Sequence, residues 1–217
     1  MRYRSPSHRW ADILGRPDDL VIVAAAAELT GAALAALDRG DLDHARRLWS
    51  AVDGGALLGL WNDQVRLMKA HYPLPIDPPA TPDGWTQEPK LSRSLSLAVF
   101  DRDGYRCRYC GIAVFTQWQR GHIPQLVAAM PDLTPAVTVH NGSLSGSGKS
   151  GTPRNVDQTK WLWIQACADH VVPESHFGPT ALDNLVTSCA GCNYGKMDWT
   201  LEQLDVIDPR SAGDPPA

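Results

Sequence analysis

Residues 182–196 read LDNLVTSCAGCNYGK, in which a short apolar run leads into a Cys-x-x-Cys turn. The run from Leu185 to Thr187 has the apolar, β-branched character of a buried strand, and a short helix is expected after the second cysteine. Upstream, the continuous apolar run from Trp161 to Ala168 predicts another buried strand, and Asp169 and His170 follow it directly. This part of the chain therefore predicts two strands and a helix, with polar side chains at one strand end.

The cysteines point to a metal site. Four of the five fall in two Cys-x-x-Cys turns separated by 78 residues: Cys107, Cys110, Cys189 and Cys192. Each turn can aim two sulfurs at one point about 2.3 Å away, and four thiolates favour tetrahedral zinc. Such a site has no open coordination position, so its zinc is expected to be structural. A redox pair or two unrelated turns are the alternatives, and the presence of two such turns favours zinc.

Composition excludes several classes of protein. The chain has 217 residues, of which 43% are apolar and 20% charged, as in a soluble protein of one or two domains. The longest weakly polar stretch, from Leu20 to Leu37, carries Glu28 near its centre, which argues against a membrane span. No apolar core of a secretion signal follows the basic residues at the N-terminus. We therefore expect a cytoplasmic protein with no membrane partner.

The sequence predicts four segments. Residues 1–71 are expected to form an N-terminal helical domain, because apolar residues recur at helical spacing in three stretches. Residues 72–90 contain six prolines and are predicted to be a linker. Residues 91–207 form the cysteine-containing domain, and residues 208–217 a flexible tail.

Charge is unevenly distributed along the chain. Residues 90–165 hold nine Lys or Arg residues against four Asp residues, whereas residues 166–217 hold two against eight acidic residues. The layout can place phosphate-attracting residues beside carboxylates that hold a cation, although a solvated mosaic of charges is equally common. The candidate phosphate contacts are Lys149, Arg154, Lys160 and Lys196.

The spacing of polar residues around the second cysteine pair carries a family resemblance. Asp169 and His170 end a predicted strand, Asn184 follows 14 positions after His170, and Asn193 lies nine positions further, within a Cys-Asn-x-x-Lys sequence. This pattern resembles the HNH endonuclease family over roughly residues 95–205. The resemblance implies an α+β protein in which a ββα-metal (HNH) nuclease domain, braced by a structural zinc, follows the N-terminal helical bundle.

The residue types suit phosphodiester hydrolysis. His170 can act as the general base, because an unperturbed imidazole with a pKa near 6.5 is largely neutral at physiological pH. Asp169 precedes it on the strand, so its carboxylate can face a divalent cation while the imidazole faces water. The resemblance implies that Asn193 is the second protein ligand and that Asn184 braces the loop that orients His170. Oxygen ligands favour Mg²⁺ or Mn²⁺.

The sequence therefore predicts a metal-dependent endonuclease that hydrolyses DNA, in restriction and defence or in phage or mobile-element DNA processing. A non-catalytic, zinc-stabilised nucleic-acid-binding module and a structure-specific or RNA-directed nuclease stay open as alternatives. Residues 18–71 hold five basic and eight acidic side chains, which suits DNA poorly. These helices are therefore expected to mediate a homodimer.

Overall fold

The computed structural model describes residues 17–61, 80–86, 89–118, 122–135, 138–140, 143–145, 156–204 and 206–211. These residues contain helices and two small antiparallel hairpins, so the predicted α+β class is confirmed. The helices are α1 (Pro17–Asp38), α2 (Leu42–Ser50), α3 (Arg93–Arg102), α4 (His122–Ala129), α5 (Val156–Leu162), α6 (Ala190–Lys196) and α7 (Leu201–Leu204), and residues 54–61 are also helical. Strand β1 (Thr138–His140) pairs with β2 (Ser143–Ser145), and β3 (Ala166–His170) pairs with β4 (Leu185–Cys189). Short 3-10 turns cover Pro131–Leu133 and Glu174–His176.

The first helical hairpin follows from local sequence signals. The chain reverses at Gly40, whose φ of +77° lies in the left-handed region that glycine adopts without strain. Asp41 then caps α2, because its Oδ1 accepts a hydrogen bond from the His44 N–H at 3.0 Å. Ala33 and Ala36 of α1 are fully buried, and their small side chains let α2 pack closely.

One apolar core joins these helices to elements from the second half of the chain. The Thr159 hydroxyl on α5 donates a hydrogen bond to the Gly54 carbonyl at 2.8 Å. The indole N–H of Trp163 donates to the Leu57 carbonyl at 3.0 Å, and its ring centroid lies 5.2 Å from that of Trp61. The segment 54–61 is therefore fastened to α5 and to the turn that leads into β3.

The shared core contains residues from two of the four predicted segments. The division into residues 1–71, 72–90, 91–207 and 208–217 stays a prediction, and the described parts of its first and third segments pack into one core. On the outer side, Arg46 of α2 forms an ion pair with Asp132. Burial of these helices is thus achieved within a single chain, and the predicted homodimer gains no support from it.

Gly54 marks the closest approach between the segment 54–61 and α5. A Cβ atom at this position would lie 2.6 Å from the Val156 carbonyl oxygen and 2.8 Å from its Cγ1. We expect Gly54→Ala to lower the free energy of unfolding by about 1–3 kcal/mol in urea denaturation, because the backbone must move apart. Gly59→Ala, with nothing within 4 Å of its added Cβ, is the matched control and should leave stability unchanged or slightly higher. Equal unfolding free energies for the two variants would disprove this contact.

The β3–β4 hairpin lies between two helices. Thr187 pairs with Ala168 across the hairpin, and its hydroxyl donates to the Val99 carbonyl of α3 at 3.2 Å. Asp169, the next residue along β3, contacts Lys196 of α6 instead. Because successive side chains on a strand point to opposite faces, α3 covers one face of the hairpin and α6 the other.

An Arg-Asp pair at the end of α3 fixes β4 and the loop before it. Asp103 Oδ2 accepts the Thr187 N–H at 2.7 Å. The Arg102 guanidinium donates to the carbonyls of Leu182 at 2.6 Å and Leu185 at 2.7 Å. These contacts position the chain on both sides of Asn184.

The prediction of one strand over Trp161 to Ala168 is wrong in its first half. Trp161 and Leu162 end α5, and β3 begins only at Ala166. The physical reason is that a continuous apolar run fits a buried helix as well as a buried strand, since both bury every face.

Helix α1 is the longest helix in the described part of the chain. Over Val21–Asp38 it is long and apolar enough to cross a membrane by length and composition. Of this window, 39% is buried inside the protein, where it contributes to the shared core.

Candidate metal and catalytic site

The four cysteines of the two turns lie together. Their sulfur atoms are all within 4.8 Å of one another, and we call this group the cysteine cluster: Cys107, Cys110, Cys189 and Cys192. The first turn is closed by a hydrogen bond of 2.8 Å from the Gly111 N–H to the Cys107 carbonyl, with Gly111 at a φ of +79°. In the second turn, Cys189 ends β4 and caps α6, and its sulfur accepts the Cys192 N–H at 3.3 Å.

The thiols of the cysteine cluster perturb one another. Burial acts to raise the pKa of Cys107, but hydrogen bonds from the other three cysteines outweigh it and hold this pKa well below its usual value. The pKa of Cys192 is raised well above its usual value by burial and by the shared hydrogen bonds. Four sulfur donors at this separation, three of them on buried cysteines, form the ligand set that zinc prefers, so the residues fit that ion.

Asp169 lies at the end of β3 in an unusual environment for a carboxylate. It is 6% exposed, accepts a hydrogen bond at Oδ2 from the Tyr109 hydroxyl at 2.7 Å, and has the Lys196 ammonium 3.4 Å from the same oxygen. Burial raises the pKa of Asp169 to about 6, although Lys196 and Tyr109 both act to lower it. Within the described residues neither contact involves Oδ1, so this oxygen is the one left for a cation.

Lys196 is fully buried on α6. Its ammonium donates to the His170 carbonyl at 2.6 Å and neutralises Asp169. The sequence predicts Lys196 as a phosphate contact, but the structure places it inside the protein, where it holds the end of β3. The lysine is buried because these two acceptors meet it, as a buried charge requires.

Of the other predicted phosphate contacts, only Lys160 lies in the described part of the chain. Lys160 is 9% exposed, with its ammonium 3.5 Å from the Leu133 carbonyl and 5.5 Å from the centroid of the Trp49 ring. It therefore lies in the interior and not at a surface that a phosphate could reach. Lys149 and Arg154 lie outside the described residues.

His170 is the last residue of β3 and is half-buried. Its Nε2 lies 3.0 Å from the Thr180 hydroxyl, and its backbone carbonyl accepts from Lys196. The ring and the backbone carbonyl of His170 are thus held by Thr180 and Lys196, respectively.

Asn184 binds the loop that follows His170 with its side-chain amide. Its Oδ1 accepts the Val172 N–H at 2.9 Å, and its Nδ2 donates to the carbonyls of Val172 and Pro179, each at 3.0 Å. With only 3% of its surface exposed, Asn184 lies inside the loop. The geometry suits a bracing role.

Gly178 allows the same loop to close on itself. A Cβ atom there would lie 1.8 Å from the Val172 carbonyl oxygen, which leaves no room for any side chain. We expect Gly178→Ala to push Val172 away from Asn184 and to lower stability by about 1–3 kcal/mol. Hydrogen exchange should show faster exchange of the Val172 amide, because its bond to Asn184 is broken. The exposed Ser175→Ala in the same loop is the control, and equal exchange in both variants would refute the packing.

Asn193 lies on α6, directly after Cys192 of the cysteine cluster, and is half-buried. It precedes Lys196 by three positions, a spacing that puts two residues on the same face of a helix. Because Lys196 contacts Asp169, Asn193 lies on the helix face that is turned toward the end of β3. The structure therefore places Asp169 and His170 at the end of β3, and Asn193 on the helix that packs against this hairpin.

Two residues of the site were missed by sequence reasoning. Tyr109, between the cysteines of the first turn, donates to Asp169, and burial followed by the charge of Asp169 raises the pKa of its phenol well above the usual value. Arg102 holds the loop before β4. The position of Tyr109 within a Cys-x-x-Cys turn places it near the metal ligands. Its partner Asp169 could not be identified from the sequence, because it lies 60 residues away.

Comparison with known proteins supports this arrangement over a short range. Residues 164–198 match the family model described as HNH endonuclease, so the resemblance in the sequence is confirmed there. The match covers 35 of 217 residues and spans β3, β4 and α6. Comparisons with curated proteins and with solved structures give no match. HNH domains are generally endonucleases that act on DNA, so this part of the chain suggests a nuclease.

Proposed function

We propose that this chain is a metal-dependent HNH endonuclease that hydrolyses phosphodiester bonds of DNA, in restriction and defence or in phage or mobile-element DNA processing. One observation carries the proposal. The segment that matches the HNH endonuclease family folds as two strands and a helix, with Asp169 and His170 at a strand end and Asn193 on the helix packed against it.

In this proposal His170 is the general base. Its Nε2 lies 3.0 Å from the Thr180 hydroxyl, and a ring nitrogen of the imidazole accepts the proton of the attacking water. Lys196 holds the His170 backbone, and Asn184 holds the loop that carries Thr180. His170 is therefore held at its backbone carbonyl and at its imidazole ring.

The proposed ligands of a catalytic Mg²⁺ or Mn²⁺ are Asp169 and Asn193. Both supply oxygen donors, as these hard cations prefer, and Oδ1 of Asp169 is not engaged by Tyr109 or Lys196. When bound, the ion neutralises charge on the phosphate oxygens and the leaving oxygen. Asn193 provides a neutral amide oxygen, which binds soft metals less well than an imidazole does and so favours Mg²⁺ or Mn²⁺.

The cysteine cluster is proposed to hold a structural zinc. The first turn follows α3 and the second joins β4 to α6, so an ion bound there would tie the segment after α3 to the start of α6. Four thiolate ligands leave no position for substrate, which separates this ion from the chemistry.

The test of the function uses zinc-loaded protein and four substrates, namely supercoiled plasmid, linear duplex, single-stranded DNA and single-stranded RNA. We expect cleavage of plasmid DNA with added Mg²⁺ or Mn²⁺ and none with a chelator that removes only those ions. Binding of plasmid without cleavage would instead indicate a zinc-stabilised binding module. Cleavage restricted to RNA would indicate an RNA-directed nuclease, and either result would overturn the proposal.

A further inference from the structure

We infer that Tyr109 is a positioning residue for the proposed divalent-metal site. Its hydroxyl holds one oxygen of the Asp169 carboxylate and thereby presents the other oxygen to the cation. The inference rests on the proposed function, because it takes Asp169 as a ligand.

The position of Tyr109 is fixed by its backbone neighbours. It lies between the two cysteines of the first turn, and the preceding Arg108 N–H donates to the Thr187 carbonyl of β4 at 2.8 Å. The turn is therefore anchored to the same hairpin that carries Asp169. From this anchored turn the phenol reaches the end of β3, where its hydroxyl donates to Asp169 Oδ2 at 2.7 Å.

The hydroxyl selects which oxygen of Asp169 is available. A carboxylate can rotate about its Cβ–Cγ bond, and the Lys196 ammonium supplies charge but little direction at 3.4 Å. The Tyr109 hydroxyl, at a short charge-assisted distance, is the contact that fixes the orientation. Without this hydrogen bond the Asp169 carboxylate can rotate and turn Oδ1 toward Lys196. The affinity for the metal then falls, because the carboxylate must be reoriented when the ion binds.

The same contact links the cysteine cluster to the proposed catalytic ion. Tyr109 lies between Cys107 and Cys110, which both belong to the cysteine cluster, so any shift of the first turn also moves the phenol ring. The structural metal would therefore set the orientation of a ligand to the catalytic metal through a single side chain.

The test compares Tyr109→Phe with Tyr105→Phe in full-length, zinc-loaded protein. Tyr105 is the matched control, since its hydroxyl also donates to an aspartate, Asp101, at 2.9 Å, but that pair does not contact Asp169. Mn²⁺ binding is measured by the electron paramagnetic resonance signal of free Mn²⁺, and Asp169→Ala identifies which binding belongs to this site. Zinc content and melting temperature are measured for every variant.

We expect Tyr109→Phe to weaken Mn²⁺ binding by about 10–100-fold, as for other groups that orient a metal ligand, with zinc content and melting temperature unchanged. Tyr105→Phe should bind Mn²⁺ within about twofold of the wild type. Equal Mn²⁺ affinity in the two Tyr→Phe variants would overturn the inference, and so would a loss of affinity in Tyr109→Phe accompanied by loss of zinc. If the wild type shows no Mn²⁺ binding that Asp169→Ala removes, the proposed metal site is refuted, and the positioning role of Tyr109 is refuted with it.

Discussion

His170→Ala should lower the rate of plasmid cleavage by about 10²–10⁴-fold, the range expected when a positioned general base is lost. The fold should survive, because His170 is half-buried at the end of β3 and Lys196 binds its backbone carbonyl, which alanine retains. Single-turnover rates at saturating Mg²⁺, with DNA affinity measured in parallel, separate chemistry from binding.

The control for this prediction is His176→Ala in the loop that follows His170. His176 lies in the 3-10 turn after β3 and has no part in the proposed chemistry, so its variant should cleave within about threefold of the wild type. Wild-type cleavage by His170→Ala would exclude His170 as the base. An equal loss in both variants would attribute the effect to the loop and not to the imidazole.

The second large effect concerns the cysteine cluster. Cys192→Ser, or a chelator strong enough to remove zinc, should unfold the β3–β4 hairpin and α6, because two of the four ligands come from the end of β4 and α6. Structural zinc contributes about 10–16 kcal/mol of binding free energy, which is comparable to or exceeds the total stability of a typical domain. Circular dichroism melting and zinc analysis measure this outcome.

Cys167→Ser is the matched control for this prediction. Cys167 is a cysteine of β3 that lies outside the cysteine cluster, so its replacement should leave zinc content unchanged. Protein purified without chelator that contains no zinc, or Cys192→Ser protein that melts like the wild type, would refute the zinc assignment. Mild removal of Mg²⁺ should leave the melting curve unchanged.

The parts of the site that the sequence could predict are those that depend on spacing. Two Cys-x-x-Cys turns brought four sulfurs together as expected, and the placement of Asp169 directly after an apolar run put it at a strand end. These features are predictable because a turn or a strand fixes the geometry of residues that are close in sequence.

Other parts depend on contacts between distant residues. Lys160 and Lys196 look like surface lysines in the sequence, but they are buried by acceptors that lie 26 or more residues away. The interaction of Tyr109 with Asp169 also joins residues that are far apart in the sequence, and so does the core that the N-terminal helices share with the second half of the chain. No local pattern identifies such partners, because they are set by how the elements pack.

The most direct test of the account is anomalous X-ray diffraction from His170→Ala protein crystallised with a DNA duplex and Mn²⁺. Diffraction at the zinc and manganese edges distinguishes the two ions. We expect a zinc peak among the four sulfurs of the cysteine cluster and a separate manganese peak bonded to Asp169, Asn193 and a phosphate oxygen of the DNA. A zinc peak with bound DNA but no manganese between Asp169 and Asn193 would contradict it.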